Sequence, residues 1–166
     1  MNIIAPRRII IFVLLILVQI LILNHIHLFG YATPLLYVSF VLTFKRNFPR
    51  WAILIISFIL GAIIDVFSNT PGVAMGSLTL IGLIQPTLLE LFVPRDSAED
   101  LEPSMKNLGI NKFIFFTIII VFIFCLCFFT LETFNFFNWM KWIECVVGST
   151  IFTTILILVL ENMRKR

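Results

Sequence analysis

The chain is 166 residues long and carries a net charge of +3, with 60% apolar residues against 13% charged. At a mean hydropathy of +1.08, the polar side chains are too few to cover a soluble core, so lipid must be the solvent. The basic residues sit in small clusters between apolar runs and form no continuous basic face, which excludes a nucleic-acid partner and gives them a topological use.

The first run, Ile9 to Leu23, holds 14 strongly apolar residues with Gln19 as the exception. At about −0.3 to −0.6 kcal/mol per residue it inserts readily. Arg7-Arg8 before it and Gly30-Tyr31-Ala32 after it imitate a signal peptide, but the chain beyond is equally membranous, so an uncleaved first span over about 9–27 is expected. His25 and His27 in the polar break that follows are two apart with no Cys or carboxylate nearby. They are expected as solvated interfacial histidines, not metal ligands.

A second run, Thr33 to Phe44, is short. Its 12 residues rise only about 18 Å against a hydrocarbon core of about 30 Å. Either the helix starts nearer Phe29, giving a span over 30–44, or the crossing is partial and shielded by its neighbours. After the basic loop Lys45-Arg46-Asn47-Phe48-Pro49-Arg50, a third span covers 51–69, and Asn69-Thr70-Pro71-Gly72 has the composition of a tight turn. A fourth span, 73–93, contains Gln85-Pro86, where a kink is expected.

The 94–112 segment is the substantial hydrophilic stretch, and Leu101, Met105 and Leu108 recur at helical spacing before Gly109, the pattern of a short surface helix. It reads as a solvated connector and a candidate partner contact. A fifth span follows at 113–131. Phe134, Phe136, Phe137, Trp139 and Trp142 make an interfacial aromatic belt, and a sixth span runs over 139–160 into the basic tail Arg164-Lys165-Arg166.

The expected fold is therefore an all-α integral membrane protein, a single domain over 1–166 forming a six-transmembrane-helix bundle with a short second span. No polar linker longer than about 20 residues divides it. Six crossings place 11 of the 12 basic residues on one side and only Lys141 opposite. By the positive-inside rule both termini are cytoplasmic.

No nucleophile elbow, His-Glu-x-x-His helix, phosphate-cradling glycine loop or Cys-x-x-Cys pair is present. No enzymatic activity, metal or cofactor is expected. Cys125, Cys127 and Cys145 lie inside apolar runs and read as small reduced hydrophobes, though Cys125 and Cys145 fall at similar depths on antiparallel spans. Asp65 is the carboxylate placed well inside an apolar span, at a cost of about 2.5–3.5 kcal/mol at the bilayer centre. It must be hydrogen-bonded in the bundle or face a wet cavity. Asn69 is its nearest candidate partner; backbone N–H groups near Thr70 and Gly72 offer a purely structural alternative, and a ligand or partner site formed with Asn69, Thr70, Pro71 and Gly72 is the functional one. Gln85 either satisfies backbone opened by Pro86 or lines a pocket. Ser57 and Gly61, Gly72 and Gly76, and Gly148 with Ser149 and Thr153 form small-residue faces for close helix packing. Glu90 and Glu161 read as solvated ion-pair partners of Arg95 and of Arg164 and Lys165.

Several of these features occur together in one family. Asp65 through Gly76 with its Asn-Thr-Pro-Gly turn, Gln85-Pro86, Pro94-Arg95-Asp96-Ser97 and Asn135-Phe136-Phe137-Asn138-Trp139 resemble MreD, the rod-shape-determining membrane protein of the bacterial cell-elongation machinery. Length and span count agree over the whole chain. The resemblance implies a non-enzymatic subunit of the bacterial inner membrane that binds the bitopic protein MreC. Through MreC it would help regulate the RodA glycosyltransferase and its class B penicillin-binding transpeptidase along MreB filaments. The family is similar in fold to the S components of energy-coupling-factor vitamin transporters, which implies a rival function, small-solute binding. Those components carry alanines at four-residue spacing on their first helix, and Ile9 to Leu23 has none.

Overall fold

The computed structural model describes residues 4–21, 33–93, 101–133 and 139–165. They form α1 (Ile4–Leu21), α2 (Val38–Leu42), α3 (Arg50–Ser68), α4 (Val73–Phe92), α5 (Met105–Leu108), α6 (Ile110–Thr133) and α7 (Trp139–Lys165), with no strand among the described residues. α3, α4 and α6 and the stretch Trp139–Met163 of α7 are each long and apolar enough to cross a membrane. This is a multi-pass helical membrane protein. At 1.5 Å per residue even the shortest of the four, the 19 residues of α3, spans about 28 Å.

The distribution of polarity is the reverse of a soluble bundle. Ile55, Phe58, Ile59 and Val66 of α3, Phe115 and Phe122 of α6, and Ile151 and Ile155 of α7 are exposed, while Gln19, Ser57, Asp65, Gln85, Thr117, Ser149 and Thr153 are buried. Apolar side chains cost nothing against lipid, whereas polar ones are sheltered inside, where Gln19, Asp65, Gln85, Ser149 and Thr153 find hydrogen-bond partners. Neighbouring helices pack in the order α1 on α3, α3 on α4, α4 on α6 and α6 on α7, with α2 in the interior against α4 and α6.

Boundaries shift where caps, not hydropathy, set them. α6 begins at Ile110 instead of 113, because Gly109, at φ 85°, ends the short α5 and its carbonyl accepts from Phe113 N–H at 3.0 Å. Of the short helix expected at Leu101 to Leu108 only Met105–Leu108, α5, is helical, with Ser104 Oγ accepting from Asn107 N–H at 3.3 Å. α7 continues past 160 to Lys165, and α1 starts at Ile4 instead of 9. The continuous helix expected over 30–44 is corrected in its described part: 33–35 is irregular and only the five residues of α2 are helical. The later part of the first span, 22–27, with His25 and His27, the residues 94–100, and Phe134, Phe136 and Phe137 of the aromatic belt lie outside the described residues. Trp139 and Trp142 of that belt meet edge to face, with ring centroids 6.0 Å apart.

Two of the segments expected on one side, the 45–50 loop and the 94–112 segment, meet. Arg46 N–H donates to the Leu101 carbonyl at 3.2 Å and Lys45 Nζ lies 3.9 Å from Glu102 Oε1, joining the 45–50 loop to the segment before α5.

Candidate functional site

At the opposite end of α3 and α4, Asp65 sits 5% exposed, one turn before α3 ends. Its Oδ1 accepts from Thr70 Oγ1 at 3.1 Å and Ala74 N–H at 2.8 Å, and its Oδ2 from Gly72 N–H at 3.0 Å and Met75 N–H at 2.9 Å. The three amides belong to the first turn of α4, where no carbonyl within the helix can serve them. Asp65 is thus an N-cap supplied from the preceding helix. Its negative charge faces the positive end of the α4 dipole, which stabilises a carboxylate in the membrane without a counter-ion. A carboxylate has about four lone-pair sites, and all are used.

Each residue of the turn has a backbone reason to be there. Asn69 ends α3 in the left-handed region, φ 55°, and is the non-glycine residue with positive φ among those described. Asn and Gly tolerate that conformation best. The N–H groups of Asn69 and Thr70 both donate to the Asp65 carbonyl. Val73 N–H then donates to Thr70 O at 3.3 Å, and Gly72 at φ 89°, ψ −9° fits the third position of a type II turn with Pro71 at the second. Asn69 therefore acts through its backbone, with its side chain exposed; of the two partners the sequence offers Asp65, the Asn69 side chain is not used and the backbone N–H groups of the turn are, with the Thr70 hydroxyl.

Gly61 is what lets the carboxylate reach. A Cβ there would collide with Met75 Cα and stand 2.7 Å from Met75 N and 2.8 Å from Ala74 O, so α3 and α4 touch backbone to backbone one turn from Asp65. Ser57 is buried one turn below against Gly82, where a Cβ would stand 2.8 Å from its hydroxyl. The sequence places the small-residue face of α4 on Gly72 and Gly76 and does not point to Gly82. Gly76 is exposed and a Cβ there would meet only Leu131 Cδ1 at 3.5 Å, an ordinary contact. Gly148 is half-buried on α7.

Gln85 serves a different segment from the one expected. α4 continues through Pro86 to Phe92, and Gln85 Nε2 donates not to its own helix but to the Phe44 carbonyl at 3.3 Å. That carbonyl ends a stretch whose other end is held in the same manner. Gln19 Nε2 donates to Pro34 O at 3.0 Å and Gln19 Oε1 accepts from Leu36 N–H at 3.0 Å, while Ser149 Oγ and Thr153 Oγ1 accept from the N–H groups of Thr33 and Leu35, both at 3.1 Å. Irregular backbone inside a bilayer is tolerated only where protein satisfies it, and α1, α4 and α7 do so here. Gln19, Ser149 and Thr153 were legible only as an exception in an apolar run and as small packing residues.

All three cysteines are free, Cys125 buried and Cys127 and Cys145 half-buried. Among the described residues no His, Cys, Asp and Glu cluster could hold a metal ion. Compared with known protein families, curated proteins and solved structures, this chain finds no match.

Proposed function

We propose that the chain is a non-enzymatic subunit of the bacterial cell-elongation machinery, seated in the cytoplasmic membrane with both termini inside. It helps maintain rod shape by binding MreC and, through MreC, bears on RodA, its class B transpeptidase and MreB. The observation that carries this reading is the α3–α4 lock. The stretch that resembles MreD, Asp65 to Gly76, has its carboxylate saturated by four donors, which suits a rigid platform that holds partners in a fixed relation. A group occupied in this way is poorly placed to move a proton or take a solute. The one-sided placement of the basic residues supports the orientation.

Depletion in the native bacterium tests the proposal: rods should round into spheres, and affinity purification from membranes should recover a bitopic partner. Unchanged cell shape with a defect in vitamin uptake would overturn it in favour of the small-solute subunit of an energy-coupling-factor transporter.

A further inference from the structure

The exposed residues of α4 are Gly76, Leu80, Leu83, Thr87 and Glu90, alternately four and three positions apart, with Leu91 beside the last. That alternation keeps them in one narrow seam, the spacing at which a helix meets a single other helix, and from the first to the last the seam runs about 21 Å. Its composition sets it apart from the other lipid-facing surfaces. The exposed residues over 55–67 of α3, 115–126 of α6 and 147–160 of α7 are all Val, Ile, Leu or Phe, whereas the α4 seam carries a glycine, a hydroxyl and a carboxylate. Lipid calls for none of these. Glu90 stands two residues before α4 ends at Phe92 and has no ion pair among the described residues. Behind the seam, the Asp65 cap and the backbone contact at Gly61 hold α4 against α3, so this face is presented in a fixed position.

We propose that the α4 seam is where the single transmembrane helix of a bitopic partner docks, with a Lys or Arg of that helix paired to Glu90; the inference rests on the function proposed above and gives that partner its surface. The width of the seam admits one helix, and its position in the hydrocarbon layer requires that helix to cross the membrane. Gly76 lets the two backbones approach closely at one end. At the other end the carboxylate calls for a basic residue at the same depth. A second copy of the chain is opposed by charge. Copies in one bilayer share an orientation and pair about an axis along its normal, so α4 against α4 would set Glu90 against Glu90 where the dielectric is low.

The test uses the full chain, tagged and purified from membranes of the native bacterium. A photoreactive benzophenone carried at position 83 should crosslink to a single-pass protein, and one carried at position 151, exposed on α7, should not. Leu83→Trp should lower recovery of that protein about tenfold by overfilling the seam, and Ile151→Trp should leave it unchanged. Glu90→Gln should lower recovery about fivefold, Glu90→Lys further, and reversing the charge of the partner's basic residue should restore recovery with Glu90→Lys. Because these side chains are exposed, the unfolding midpoint of the isolated chain should stay the same in every variant. A bitopic partner that is recovered equally with Leu83→Trp and Glu90→Lys would overturn the docking site and leave the proposed function standing. Crosslinks from position 83 to a second copy would overturn it in favour of self-association. If the unaltered chain recovers no bitopic protein, the site falls together with the function on which it rests.

Discussion

The bundle is held by two polar seams of opposite character. At the α3–α4 turn a single carboxylate serves three backbone amides and a hydroxyl drawn from residues five to ten positions further along the chain. At the 33–44 segment four neutral side chains from three helices each serve one or two backbone groups, across separations of 15 to 118 residues. The first seam concentrates its energy in one residue and closes with its own hairpin. The second distributes it and closes only after α7 has docked, since Ser149 and Thr153 are among its members. Concentration makes the turn brittle and the segment tolerant.

The largest effect should therefore come from Asp65. Asp65→Leu strands three amides in a low-dielectric site, at about 1–3 kcal/mol for each donor, so a loss of about 4 kcal/mol or more is expected in unfolding followed by tryptophan fluorescence in mixed micelles. Asp65→Asn should be nearly as damaging, because its NH2 faces amides that also donate. If Asp65→Asn keeps full stability but loses function, the carboxylate carries a proton or a ligand and the locking role is wrong. Gly61→Ala comes next, at about 3 kcal/mol, the upper range for overpacking, because Met75 and Ala74 present backbone that cannot swing aside. Its measurement is the same unfolding midpoint.

Gln19→Leu should cost less, about 2 kcal/mol, by leaving Pro34 O and Leu36 N–H unpaired. Thr153→Val should cost about 1 kcal/mol through Leu35 N–H. A cycle combining the two should show coupling, since both hold adjacent residues of one strand of backbone. Strict additivity would mean that the segment relaxes independently at each anchor, and the contrast with the Asp65 turn would then be one of rigidity as well as of distribution.

These seams also account for what the sequence could reveal. Asp65, Asn69, Thr70, Pro71 and Gly72 are near neighbours, and each residue type has a local backbone preference, so the turn and its structural role were readable from the chain alone. The four long helices were readable for the same reason, because lipid solvates one helix at a time and leaves its record in continuous runs. Gln19, Gln85, Ser149 and Thr153 satisfy backbone that is distant in sequence, and nothing near any of them names that partner. Arithmetic on length marked the second run as too short for a full crossing, but it named neither the five-residue α2 nor its anchors. Gly61 and Gly82 were distinguishable from Gly76 only by the backbone or side chain each one faces.

That last distinction gives the smallest expected effect. Gly76 lies on an exposed part of α4, three residues into the helix beyond the Asp65 cap, and a Cβ there reaches only the flexible end of Leu131 at 3.5 Å. Replacing a helical glycine by alanine gains about 0.5–1 kcal/mol by restricting the unfolded chain, and the contact asks for no movement. Gly76→Ala should leave the unfolding midpoint of the isolated chain unchanged or slightly raised, while Gly61→Ala lowers it. An equal loss at both positions would show that closeness along one helix face, and not the identity of the atom across from it, governs the packing of α4. If Gly76→Ala is neutral in the isolated chain yet weakens recovery of the bitopic partner, the small exposed face beside the Asp65 lock is where a second helix approaches, and the rigid turn sets its position.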